Sequence, residues 1–144
     1  MRFEYNYKSF KIGFTDHARE RGINRLKDVY RIQFSTEEEY EDVLLLGVQT
    51  IMDCPKFRKF LNSARFQRHS SIDILVYEQD NSMVYAIKYK PDFKKIVVKT
   101  IGSTLAEDWM YNLKKNVHQE VCWIYTKDKR FVFTGANQNH TWLW

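Results

Sequence analysis

His17, Arg19 and Arg21 stand within five residues of one another in the run Phe14-Thr15-Asp16-His17-Ala18-Arg19-Glu20-Arg21-Gly22-Ile23. An imidazole titrates near neutral pH and can move a proton. A guanidinium keeps its charge and matches two phosphate oxygens with a planar fork. Side chains of these two kinds suit work on a phosphodiester. RNA supplies its own nucleophile in the 2′-hydroxyl, so its cleavage needs a base, an acid for the leaving 5′-oxygen and cations for the extra charge on phosphorus. That reaction needs no metal or other cofactor. His17 is the candidate base or acid, and Arg19 and Arg21 are the candidate phosphate clamps. The same residues also make an ordinary solvated helix face, with the ring bonded to a nearby carbonyl.

The local pattern predicts a helix that begins at this run. Thr15 or Asp16 can cap it, which puts His17 in the first turn, where free N–H groups and the helix dipole favour an anion. His17 and Arg21 are four apart and share a face, whereas Arg19 points elsewhere. Leu26, Val29 and Tyr30 carry the helical spacing onward. Gly22 is either an interior position or a break between two turns.

A second set of cations lies on predicted strands. Met83 to Tyr89 alternates, so Lys88 and Lys90 share one strand face and Tyr89 takes the other. With Lys99 at the end of the next strand, these residues are candidates for holding nucleic acid, or else solvent-facing positions of a half-buried sheet. Tyr85, Tyr89, Phe93 and Tyr125 sit among lysines, the mixture found where bases stack over a charged groove. Aromatics are also good strand and core residues. Lys56, Arg58 and Lys59, with Arg65 and Arg68, line one side of a predicted helix as a phosphate track or as a solvated face.

The elements that must position these groups fall in a clear order. Arg2 to Ile12 alternates loosely and reads as one or two strands. Ser35 and Glu38 fit a capping box for a helix whose stripe is Tyr40, Val43, Leu44, Val48 and Ile51. Asp53-Cys54-Pro55 interrupts it, with Pro55 suited to open a new helix. Ile72–Tyr77, Met83–Tyr89 and Lys95–Ile101 follow as a meander with short turns. A short helix with Trp109, Met110 and Leu113 turned inward comes next, and Val121–Thr126 and Arg130–Thr134 close as a hairpin. The expectation is a single α+β domain over residues 1–144, an antiparallel twisted sheet made of the meander plus an N-terminal strand, with helices on one face.

The 144 residues are 44% hydrophobic and 28% charged, enough to bury a core without staples. No apolar run approaches the roughly 20 residues that cross a bilayer, and the N-terminal run has no secretory h-region, so no membrane role and a cytoplasmic site are expected. Cys54 and Cys122 are far apart, and His17, His69, His118 and His140 are scattered, which argues against a disulfide framework or a local metal motif. A net charge of +5 and a pI near 9.1 tilt the partner toward RNA or another polyanion. The acidic run Glu37-Glu38-Glu39 with Glu41-Asp42 shows that the positive charge is unevenly spread.

The segment Phe14-Thr15-Asp16-His17-Ala18-x-x-Arg21-Gly22-Ile23 resembles the "HAxxR…GI" opening of small RelE/BrnT-like ribonuclease toxins. The later strands 72–77, 84–89 and 96–101, followed by Gly102-Ser103, occupy the places of that family's closing strands. The likeness covers residues 10–34 and 70–103. It implies a small sheet with helices on one face, a basic cleft for RNA, cleft residues at the strand ends (Lys88 and Lys99 here) and an antitoxin as a further partner. The chain departs from the family in a helical insert at 35–69 and in the helix-hairpin extension 104–144. Three functional readings stand together: a metal-independent endoribonuclease or RNA-binding derivative of that scaffold, a non-catalytic phage-type protein that grips a host nucleic-acid machine, and a plain sequence-independent nucleic-acid binder.

Overall fold

A computed structural model of the chain describes residues 3–63, 71–106, 120–128 and 130–134. In order these form β1 (Phe3–Tyr7), β2 (Phe10–Phe14), α1 (Asp16–Asp28), α2 (Glu37–Met52), α3 (Pro55–Leu61), β3 (Ile72–Glu78), β4 (Met83–Lys90), β5 (Lys95–Ser103), β6 (Glu120–Tyr125) and β7 (Arg130–Thr134). The strands make one sheet of order β1-β2-β5-β4-β3-β6-β7. The architecture is α+β, as the element order predicts.

The centre is the β3-β4-β5 meander, antiparallel throughout. A hairpin is added at each side, β1-β2 on the left and β6-β7 on the right, and each joins the meander through a parallel pair. Lys11, Ile12, Gly13 and Phe14 run alongside Lys95 to Val98, and Ile74 to Glu78 run alongside Glu120 to Ile124. These two parallel seams depart from the all-antiparallel expectation. Long crossovers permit them, since a parallel pair needs many intervening residues and cannot be closed by a tight turn.

Strand alternation divides the sheet into two faces. Phe10, Ile12, Ile74, Val76, Tyr85, Ile87, Tyr89, Ile96, Val98, Cys122 and Ile124 point to one face and are buried there with residues of the helices, forming the main core. Ala18, Ile23 and Leu26 of α1, Tyr40, Leu44, Val48 and Ile51 of α2, and Phe57 and Leu61 of α3 meet them. On the other face Leu75, Tyr77, Ala86, Val121 and Trp123 make a smaller cluster, with the Tyr77 and Trp123 rings stacked at 4.5 Å.

The helix starts show how local chemistry sets the boundaries. Thr15, rather than Asp16, caps α1 by accepting from the Ala18 N–H at 3.0 Å. The cap of α2 is Thr36 rather than Ser35, accepting from the Glu39 N–H, so the expected box is shifted by one residue. Pro55 opens α3 at its first position, as expected. Gly22 does not break α1: a Cβ there would come within 2.8 Å of both Leu44 methyl groups, so the glycine lets α1 lie close against α2. At the β1-β2 turn Lys8 and Ser9 both take positive φ, the geometry of a two-residue hairpin whose twist matches the strands.

Several sequence readings fall outside the described residues. They are the helix with Trp109, Met110 and Leu113, the cations Arg65 and Arg68, and His69, His118 and His140.

Candidate nucleic-acid interface

Thr15 positions the first candidate group. Its N–H donates to Val98 O and its hydroxyl to Lys99 O, both at 3.1 Å, which ties the start of α1 to β5. His17 follows on the first turn and is exposed, as is Arg21 four residues later. Both lie on the side of α1 away from its buried residues Ala18, Gly22, Ile23 and Leu26, where Glu20 and Asn24 are also exposed. The imidazole and the Arg21 guanidinium therefore share an outward helix face, as their spacing predicts.

Arg19 does not join them. Its Nε donates to Glu41 at 2.6 Å and its Nη2 to Glu37 at 2.5 Å. Those bonds hold the Glu37 carboxyl below the usual carboxylate range and strengthen the guanidinium's hold on its proton. Arg19 is thus a clasp between α1 and α2, with its fork already occupied by carboxylates.

The strand lysines stand on the opposite face of the sheet from α1. Lys88 and Lys90 alternate with Ile87 and Tyr89, which are buried under the helices. Tyr89 has no exposed surface, so it packs the core and offers no ring to a ligand, which corrects its place among the nucleic-acid candidates. Burial also raises the pKa of its hydroxyl, and of those of Tyr77 and Tyr85. Lys99 occupies an irregularity in the ladder, since Ala86 pairs with Thr100 and Ile87 with Val98. Such a bulge leaves one residue unmatched and re-aims it. The Lys99 ammonium bonds Asp73 at 2.8 Å, on the face opposite α1, α2 and α3.

Registers across three strands reveal a feature that the sequence did not flag. Lys11 on β2 lies opposite Lys95 on β5, and Lys95 lies opposite Lys90 on β4. Their neighbours Ile12, Ile96 and Tyr89 are in the main core, so all three lysines point to the face opposite α1, α2 and α3. With strands about 4.8 Å apart, the three side chains spring from backbone positions spanning about 10 Å. Like charges directly opposite on a sheet are unfavourable. One relief is at hand: Glu4 on β1 bonds Lys95 at 3.2 Å, lying across Gly13, whose missing side chain leaves room for it. Lys11 and Lys90 form no ion pair among the described residues, nor does Lys88 one step along the same face.

The α3 cations stand apart from this row. Lys56 and Lys59 are exposed, while Arg58 donates to Met52 O at the end of α2. Phe57 and Phe60 fix α3 against Phe131 and Phe133 of β7, on the helix-covered face and at the far edge from β2. The candidate residues thus sort into three separate places: the outer face of α1, the lysine row, and α3. The row was missed because Lys95 meets Lys90 across the β4-β5 hairpin, but only the parallel β2-β5 seam brings Lys11 beside them.

Among the described residues no group of three or more His, Cys, Asp or Glu could hold a metal ion, and no helix is long and apolar enough to cross a membrane. The chain matches no protein-family model, no curated protein and no solved structure.

Proposed function

We propose that this chain is an RNA-binding domain that holds the sugar–phosphate backbone on the face of its sheet opposite α1, α2 and α3. The observation that carries the reading is the row Lys11-Lys95-Lys90, aligned across three neighbouring strands and bordered by Lys88 and Lys99. Three like charges in register weaken a sheet unless a counter-charge spends time over them. A chain of phosphates is the ligand that matches such a row, and the net charge of +5 agrees with it. The test is fluorescence anisotropy with a labelled RNA across a salt series. The combined Lys11→Gln, Lys90→Gln, Lys95→Gln variant loses affinity, and its salt slope falls by about two for a single strand. An unchanged slope would sink the reading.

Cleavage is the second reading, favoured by the exposed face shared by His17 and Arg21 and by the likeness of that segment to ribonuclease toxins. In it His17 takes the 2′-hydroxyl proton, the oxygen attacks the adjacent phosphorus, and Arg21 steadies the charge while the bond to the 5′-oxygen breaks, that oxygen taking a proton from water and leaving a 2′,3′-cyclic phosphate. The strand must then reach α1, around the edge of the sheet from the lysine row. Incubation with total RNA in EDTA, beside His17→Ala, decides it: fragments from the parent and none from the variant support cleavage, and intact RNA in both refutes it.

A further inference from the structure

The turn between β4 and β5, Pro91–Phe93 followed by Lys94, adds an aromatic ring to the lysine row. Phe93 is 70% exposed. A single exposed apolar side chain is ordinary on any protein surface. Phe93 differs in where it stands and in how firmly the turn is held.

Lys90 and Lys95, the last matched pair of the hairpin, flank the turn directly. Lys94 is exposed beside the ring, and the Lys11 N–H donates to Lys94 O at 2.9 Å, which brings β2 alongside. Four lysines thus flank the turn, with the carboxylate of Asp92 within it and that of Glu4 paired to Lys95. Pro91 is buried and fixes its own φ, and the Lys94 N–H closes the turn onto Pro91 O at 3.1 Å. Lys94 itself takes a left-handed conformation, with φ of 46°. The ring is therefore presented by a preformed turn, and little ordering is needed when something lies on it.

A duplex hides the faces of its bases and offers only phosphates and groove edges to such a surface. An unpaired strand offers phosphates to the lysines and a base face to the ring at once, and this pairing of stacking with cations is how single strands are held without reading their sequence. Resting on the lysine-row reading above, we infer that the ligand is single-stranded nucleic acid and that Phe93 is the platform on which one of its bases stacks.

The experiment compares three labelled probes of equal length: an oligo-U RNA, an oligo-dT DNA and an RNA duplex. Each is titrated against the parent, Phe93→Ala, Phe93→Trp and the triple lysine variant, with thermal midpoints recorded for all four. The parent binds single strands more tightly than the duplex. Phe93→Ala weakens single-strand binding on the order of tenfold with an unchanged midpoint, barely alters the duplex, and Phe93→Trp restores the loss. Comparable affinity for RNA and DNA single strands also fits, because every base has a stacking face; a strong preference for the RNA adds recognition of the 2′-hydroxyl to the platform. Equal binding of single strand and duplex, or a Phe93→Ala effect shared by both, overturns the platform. If the triple lysine variant still loses affinity in that case, the lysine row survives alone. Absence of binding to any probe overturns both.

Discussion

Where the helices lie on the sheet, spaces are filled so closely that single methyl groups have no room. A Cβ on Gly22 would collide with Leu44, and one on Gly47 would collide with the Tyr85 hydroxyl. On the other face, over β2, β5 and β4, lysines are aligned side by side with two carboxylates among them. The first arrangement serves stability. The second works against it, because like charges matched across strands repel. A region that keeps an unfavourable arrangement in an otherwise tightly packed sheet is the region to examine for a ligand.

The contrast can be broken most sharply on the packed side. Gly47→Ala drives a methyl group into the buried Tyr85 ring and lowers stability by about 1–3 kcal/mol in urea unfolding. Adding Tyr85→Phe removes the obstructing oxygen and recovers part of the loss. An Ala variant as stable as the parent would contradict the close approach of α2 to Tyr85.

The clasp between α1 and α2 comes next. Arg19→Ala leaves the nearly buried Glu41 carboxylate without its partner and costs about 1–3 kcal/mol. Glu37→Ala, at the exposed end of the same clasp, costs less than Arg19→Ala. The pH dependence has a definite sign. Arg19 holds the Glu37 pKa down, so the pair's stabilisation is present above the ordinary carboxylate range and is lost as pH falls through the lowered value. Acid titration of the unfolding free energy should show this loss in the parent and not in Glu37→Gln.

The buried tyrosines give the opposite sign at alkaline pH. Burial raises the pKa values of Tyr77, Tyr85 and Tyr89, so the folded protein keeps protons that the unfolded chain releases. Stability is complete below about pH 10 and declines above it. Urea unfolding between about pH 9 and 12 checks this, and a flat profile would contradict it.

The smallest effect is on the lysine face, and its sign is the informative part. Lys90→Thr removes one of three matched cations and places a β-branched residue on a strand. It raises stability by about 0.2–1 kcal/mol at low ionic strength, and the gain shrinks as salt screens the repulsion. RNA affinity falls in the same variant. A variant that loses both stability and affinity would mean that Lys90 is simply part of the packing.

Much of this was readable in the residues themselves. The alternation of Met83–Tyr89 placed Lys88 and Lys90 together and Tyr89 opposite them, and the spacing of His17 and Arg21 gave their common helix face. Capping was legible in type but not in position, because Thr15 beside Asp16 and Ser35 beside Thr36 offer nearly equal oxygens to the same N–H groups. The lysine row was not legible. Lys11 and Lys95 are 84 residues apart in the sequence, and they meet only because β2 joins β5 in parallel. A parallel seam leaves no local turn signal. The sequence also pointed to His17 and the strand lysines as one cleft, whereas α1 packs on the face from which those lysines turn away. A helix that follows a strand can cover either face, and only packing decides which.

The central claim is that nucleic acid is held on the lysine face and not at the start of α1. An NMR titration of uniformly ¹⁵N-labelled protein with an oligo-U RNA reads this directly, residue by residue. The account predicts that the amides of Lys11, Lys90 and Lys95, and those of the turn between the last two, shift first and saturate together, while His17 to Arg21 stay in place. Shifts concentrated on His17 to Arg21, with the lysine strands unmoved, would contradict it.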